Sequence, residues 1–288
     1  MKLNLQYRVA GVFAICFAAV GGFVLDESCE TAENRPIVLE SLEKAFHMVE
    51  IAINSLEQRP WSSRPEPVFL EISIVANWLF KDAGNSAPRE WVKGGTNTLD
   101  RVYRNDLFVV NCDPKPLKRT KSGRLWDAIR QVYVESRGRK INSDDTNPCN
   151  VLWLEMYTEV SENFGVPSII HICPNYFKKM KQSKFLSTGD FQHIDLDATG
   201  KRLWVKPNTA MDLAAVMDVT FLHEFTHTFS GGELEDVGEL FQPYGWLNTL
   251  NKPADESVGN AENIAMFGLA HRMLVETPMK PQLDGSII

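Results

Sequence analysis

Thr209-Ala-Met-Asp-Leu-Ala-Ala-Val-Met-Asp-Val-Thr-Phe-Leu-His-Glu-Phe-Thr-His-Thr-Phe-Ser-Gly-Gly232 is the stretch from which the fold is read. It opens with a capping box. Thr209 at N-cap and Asp212 at N3 satisfy backbone N–H groups that a helix start leaves free. Leu213, Val216, Met217, Val219, Phe221 and Leu222 then make the following turns apolar. The pattern predicts one long buried helix through Phe229, ended by Gly231-Gly232. On that helix His223 and His227 are four apart, so both imidazoles stack on one face and reach one ion. Glu224 is rotated by about 100° and stands beside that ion rather than on it.

Two histidines on a buried helix need partners, and this spacing suits zinc. Zinc makes water acidic near neutral pH, and a carboxylate in the position of Glu224 takes the proton as the water attacks a carbonyl. The expectation is one Zn2+ per chain, with Glu224 as general base. The plain alternative is a helix with two exposed histidines, which the apolar turns before His223 disfavour. Catalytic zinc takes three protein ligands. A third histidine six residues after His227 is excluded, because that position is Glu233, and Ser230 stands where that pattern has glycine. Glu256 or Glu262 from a later helix, or Asp236 just past the turn, has the right chemistry.

Outward from the motif, residues 258–275 read as the last helix, apolar at Ile264, Phe267, Leu269, Met273 and Leu274. Residues 151–157 and 168–172 suit strands and flank Gly165-Val-Pro167 as a small antiparallel pair. Residues 37–56 repeat apolar side chains at helical spacing behind Pro36. Residues 68–80 read as a buried helix, and 98–110 and 125–134 also show helical spacing. Residues 59–67, 82–95 and 142–150 are loops, and 195–200 a turn. His171 reads as a core or edge residue, His47 as structural, His193 and His271 as surface, and Trp153 and Trp246 as core. The class is α+β, predominantly α-helical with a small antiparallel sheet.

At 288 residues, 44% hydrophobic and 23% charged, the chain has ordinary globular composition. Its net charge of −7 disfavours nucleic acid and anionic membrane surfaces as partners. Lys2 and Arg8 precede an uncharged apolar run at 9–24. About 16 residues is short for a membrane span, which needs roughly 20. Ala19 and Gly21 suit a signal-peptidase cut, so residues 1–21 read as a signal peptide and the chain as secreted. Cys16 leaves with it. Cys29, Cys112, Cys149 and Cys173 allow two disulfides in three connectivities. No Asn-X-Ser/Thr sequon occurs. Lys118-Arg119 is a dibasic pair of the kind that processing enzymes cut, though most such pairs are plain surface.

His223-Glu-Phe-Thr-His227, then an acidic residue, then Tyr244-Gly245, then Asn260-Ala-Glu-Asn-Ile-Ala-Met-Phe267 resembles, in that order, the motifs of the deuterolysin-like peptidases, the aspzincins. These are secreted fungal zinc endopeptidases. The resemblance runs from Cys149 to about Leu274. It implies a zincin-like metallopeptidase fold, with His223, His227 and Asp236 as zinc ligands and Glu224 as base. It also implies that Tyr244 hydrogen-bonds the tetrahedral oxyanion. This chain departs from the family pattern. Glu233-Leu-Glu-Asp236 stands where the family has Gly-Thr-X-Asp, and 237–243 is inserted before Tyr244. Glu235, Glu239 and Glu262 therefore stay open as alternatives to Asp236. An early cysteine bonded to a mid-chain one also follows the resemblance, and the expected pairs are Cys149–Cys173 and Cys29–Cys112. The expectation is a signal peptide followed by a single metallopeptidase domain, 22–288. Within it, 22–95 is an N-terminal helical part and a candidate pro-segment. Such a protein is a monomer that hydrolyses protein or peptide substrates, without nucleic acid or stable membrane association. The second reading is a secreted zinc-binding or host-surface protein that keeps the ligands and lacks peptidase turnover.

Overall fold

The computed structural model describes residues 22–57, 67–81, 107–137, 147–150, 154–161, 166–182, 209–228, 231–238 and 244–288. The expected signal peptide, the loops at 59–66, 82–95 and 142–146, the turn at 195–200, Trp153 and His193 lie outside these residues.

Seven strands form one sheet. They are β1 (Gly22–Leu25), β2 (Leu107–Asn111), β3 (Lys118–Arg119), β4 (Leu125–Asp127), β5 (Val132–Arg137), β6 (Met156–Ser161) and β7 (Ile169–Ile172). Their order is β1-β2-β7-β6-β5-β4-β3. β1, β2 and β7 run parallel, and every pairing from β7 to β3 is antiparallel. An antiparallel pair is present as β6 against β7, with Thr158 opposite Ile170, but its first strand is Met156–Ser161 and shares only Met156 and Tyr157 with the expected 151–157. The sheet is nevertheless larger than expected, and mixed. Part of the difference is β1, at the start of the 22–95 part expected to be helical, and the two-residue β3; the rest lies in residues 98–110 and 125–134, which were expected to be helical. Their described parts supply β2, β4 and the start of β5. Phe108-Val-Val110 and Val132-Tyr-Val134 are β-branched and aromatic. Runs this short do not distinguish strand from helix by spacing alone.

Eight helices stand among the described residues: α1 (Asn34–Glu57), α2 (Pro67–Phe80), α3 (Pro174–Gln182), α4 (Ala210–Ala214), α5 (Met217–His227), α6 (Trp246–Leu250), α7 (Ala254–Ser257) and α8 (Ala261–Glu276). None is long and apolar enough to cross a membrane. α1 buries Val38, Leu42, Ala45, Phe46, Val49 and Ala52, the stripe that helical spacing predicts. That stripe, α5 and α8 share one core with Phe108, Val110, Met156, Ile170 and Ile172 of the sheet. Phe225 of α5 sits at its centre, its ring 4.9 Å from Phe46 and 5.1 Å from Phe108. α8 is buried along nearly its whole length, and Arg272 reaches the buried Asp218 of α5 at 3.2 Å.

The capping box forms as expected, with Thr209 and Asp212 bonded reciprocally. The helix it starts is not the expected long one. α4 stops at Ala214, Val216 is extended, and α5 starts afresh at Met217. Asp218 in the first turn of α5, bonded to the N–H of Val219, supports the second start. An unbroken apolar run hides such a break. α5 ends at His227, earlier than expected, on Thr228.

The opposite face of the sheet carries two smaller clusters, Leu117 with Val132 and Val134, and Leu154 with Tyr157 and Cys173. Between them Arg130 pairs with the buried Glu159 at 2.6 Å, and His171 stacks on Tyr157 at 4.6 Å, a core histidine as expected. Disulfides join Cys29 to Cys112 and Cys149 to Cys173, the expected pairs. Trp246 is fully buried and His47 bonds Glu276 across α1 and α8. His271 corrects the sequence reading. It is 1% exposed inside α8, against Phe267, and not a surface residue. Its place on the inner side of a helix buried all round is set by tertiary packing, which spacing does not encode.

Candidate metal centre

His223 and His227 share one face of α5, four residues apart, and both side chains are buried. Their Nε2 atoms are 3.1 Å from each other. The far ring nitrogens are anchored. Nδ1 of His223 lies 2.9 Å from Glu262 Oε2, and Nδ1 of His227 lies 2.6 Å from the carbonyl of Leu234. Both acceptors call for a proton on Nδ1, which leaves the Nε2 lone pairs facing each other.

The chain returns to these atoms through a turn built for close approach. Thr228 caps α5, and its hydroxyl accepts from the N–H of Gly231. A Cβ on Gly231 would stand 1.9 Å from the carbonyl oxygen of Phe225. Gly232 and Glu233 then take positive φ, 99° and 51°, and reverse the chain. Glu235 forms a parallel bridge to Asn260 at the start of α8, and Asn260 Oδ1 accepts from the N–H of Val237. Asp236 between them is thereby aimed inward. Its Oδ1 lies 3.1 Å from His223 Nε2 and 3.6 Å from His227 Nε2. Its Oδ2 accepts from the Tyr244 hydroxyl at 2.6 Å.

Among the described residues, His223, His227 and Asp236 are the group whose ligand atoms converge closely enough to hold a metal ion, all within 4.8 Å of one another. The fit is quantitative. Zinc bonds of 2.0–2.1 Å in a tetrahedron put neighbouring ligand atoms about 3.3–3.4 Å apart, and the three edges here are 3.1, 3.1 and 3.6 Å. Asp236 Oδ1 is buried and has no hydrogen-bond partner among the described residues, as an atom reserved for a cation should be. Burial opposes charge on the metal-free His223, but Asp236 and Glu262 outweigh it and hold its pKa well above the ordinary value, so an incoming cation would displace a proton from this ring. Burial likewise opposes ionisation of Asp236, but the His223 and His227 imidazoles keep its carboxyl well below the usual range.

Glu224 points from α5 to the sheet, where Thr158 of β6 donates to its Oε2 at 2.7 Å. Burial raises its pKa, and His227, His223 and Thr158 pull it partly back. Tyr244 is raised well above its ordinary value by burial and by Asp236. Its ring centre lies 5.8 Å from that of His223.

The structure thus brings together all five sequence-derived site residues, although Tyr244 here binds the Asp236 carboxylate. The alternatives to Asp236 fall elsewhere. Glu235 and Glu256 are exposed, and Glu239 lies outside the described residues. Glu262 is near the centre but behind His223, where its Oε1 also accepts from the N–H of Gly245 at 3.0 Å. One carboxylate therefore fixes a histidine ring and the Tyr244-Gly245 turn together. Sequence reasoning missed that role, and it missed Thr158. The signal for Glu262 was the Asn260-Ala-Glu-Asn263 run, whose two asparagines are buried and bonded to each other. No family model matches the sequence, and no curated protein or solved structure is detectably similar to it.

Proposed function

We propose that this chain is a secreted, monomeric zinc endopeptidase of aspzincin type, with a zincin-like fold, acting on protein or peptide substrates. The observation that carries the reading is the convergence of His223 Nε2, His227 Nε2 and Asp236 Oδ1 at tetrahedral spacing, with Glu224 beside them on the same helix. Bound zinc would supply Lewis acidity, polarising a carbonyl and making water acidic near neutral pH. The remaining chemistry belongs to the chain. Glu262 and the Leu234 carbonyl hold the two imidazoles in the tautomer that ligation needs. Thr158 holds Oε2 of Glu224, which leaves Oε1 to take a proton as general base and return it to the leaving amine. Tyr244 could serve a developing oxyanion only by giving up its bond to Asp236.

A second reading has its own support. The Tyr244–Asp236 bond occupies the hydroxyl that turnover would use. On that account the chain is a zinc-binding protein without peptidase activity. Zinc binding is common to both readings, and Glu224→Gln separates them. The expected result is about one zinc per chain and cleavage of a denatured protein that chelation abolishes. Glu224→Gln should keep the zinc and lose the cleavage. Full zinc occupancy with no cleavage by the unmodified chain would establish the second reading, and cleavage that survives metal removal would sink the first.

A further inference from the structure

One surface stretch of this acidic chain is rich in basic residues. Residues 113–126 hold Lys115, Lys118, Arg119, Lys121 and Arg124 against a single acid, Asp113. Lys118, Lys121 and Arg124 are exposed. Lys115 pairs with Asp113, whereas no carboxylate among the described residues pairs with Lys118 or Lys121.

Strand register decides which way these residues face. Thr158 lies opposite Arg137, Tyr133 opposite Trp126, and Trp126 opposite Lys118. Opposed residues share a face of a sheet, as do residues two apart on one strand. Thr158, Tyr133, Trp126 and Lys118 therefore stand on one face, and Thr158 is the residue that bonds Glu224. On this face Trp126 meets the Tyr133 ring edge-on at 4.9 Å, and the Arg124 guanidinium lies 3.8 Å over it. At about 3.4 Å per residue and ~4.8 Å per strand, Tyr133 is about 14 Å and Trp126 about 17 Å from Thr158. An extended peptide spans that distance in about five residues.

We infer that the β3–β5 meander is a docking surface for acidic polypeptide, on the same face of the sheet against which α5 packs Glu224. The choice of a polypeptide rests on the peptidase reading. The partner's charge rests on Lys118 and Lys121. β3 is an outer strand of the sheet among the described residues, a position from which backbone can pair with an extended chain. The negative charge of the whole molecule disfavours a membrane or a long polyanion, but not a short acidic segment seated on this patch. Glu135 stands on the same face between Tyr133 and Thr158. The acidic residues recognised therefore lie beyond it, several positions from the bond presented to Glu224.

The test uses the full zinc-loaded chain carrying Glu224→Gln, so that binding is read without cleavage. Fluorescence polarisation with a short labelled glutamate-rich peptide should show binding that weakens as salt rises. A lysine-rich peptide of equal length should not bind. Lys118→Glu with Lys121→Glu should weaken the glutamate peptide about tenfold, through two lost attractions and two new repulsions. Both lysines are exposed, so the core is untouched, and Trp126→Ala should weaken binding independently. Equal binding of the two peptides, indifference to the charge reversal, or preference for anionic phospholipid vesicles or a sulfated oligosaccharide would overturn the inference. The peptidase reading is tested separately by cleavage with the unmodified chain. Charge-dependent binding without any cleavage sustains the surface and sinks the peptidase, and cleavage without charge-dependent binding does the reverse.

Discussion

Two imidazole lone pairs 3.1 Å apart repel unless a positive charge lies between them, and Asp236 Oδ1 completes a triangle of electron-rich atoms around that point. The residue scale therefore separates a ligand from its support. Asp236→Ala removes one of three donors. Glu262→Ala leaves all three and frees one ring to rotate, a loss of about 10- to 100-fold in affinity for outer-shell partners in general. Zinc affinity by competition with a chelator should fall further in Asp236→Ala than in Glu262→Ala, and hardly at all in Glu235→Ala. Zinc retained by Asp236→Ala and lost from Glu262→Ala would make the last helix the source of the third ligand. The asymmetry was partly legible in sequence. Residue types left Glu256, Glu262 and Asp236 open, and the resemblance singled out Asp236. That Glu262 works from behind His223 depends on how α8 crosses α5, which no local pattern encodes.

At the scale of elements, the decisive feature is the turn that follows α5. The sequence marks a stop at Gly231-Gly232, and the positive φ of Gly232 explains one of these glycines. Gly231 is needed for a different reason. Its α-carbon lies so close to the end of α5 that a methyl group would overlap the Phe225 carbonyl. Gly231→Ala should lower unfolding free energy by roughly 2 kcal/mol or more, in the range of large steric and backbone effects. Urea denaturation of the metal-free chain measures this. Zinc affinity should fall with it, because the same turn carries Leu234, which holds His227, and Asp236. A variant as stable and as zinc-competent as the parent would mean that the turn relaxes easily and does not set the site.

For the whole molecule, sheet and helices form one core in which β1 and α1 are tied to β2 by Cys29–Cys112. That bond spans 83 residues, a separation for which chain entropy suggests about 4.5 kcal/mol. His271 lies in the same core, away from the metal ligands, and burial lowers its pKa to about 4. The folded value is below that of an unfolded histidine, about 6.5. Between those values the unfolded chain binds a proton that the folded chain refuses. Stability from this group is thus fully present above about pH 6.5 and is lost as pH falls towards 4, by up to about 3 kcal/mol. Denaturation of the metal-free chain across that range should show the loss, and His271→Gln should flatten it. An unchanged slope in the variant would assign the pH dependence to other groups.

By itself the sequence determined the helix start at Thr209, the one-face placement of His223 and His227, the buried stripe of α1, and the strand at β7. Each is a local matter, set by capping chemistry or by the period of a side-chain pattern. The mixed sheet, the break at Val216 and the burial of His271 were decided only in three dimensions. β2 and β5 are short β-branched runs whose partners lie far away in the chain, so neither register nor direction is written in their spacing. The break divides an apolar run whose helical period looks the same on either side. The third ligand needed both sources. The residue type is local, but its aim comes from the Glu235–Asn260 bridge, where a turn after one helix meets the first residue before another.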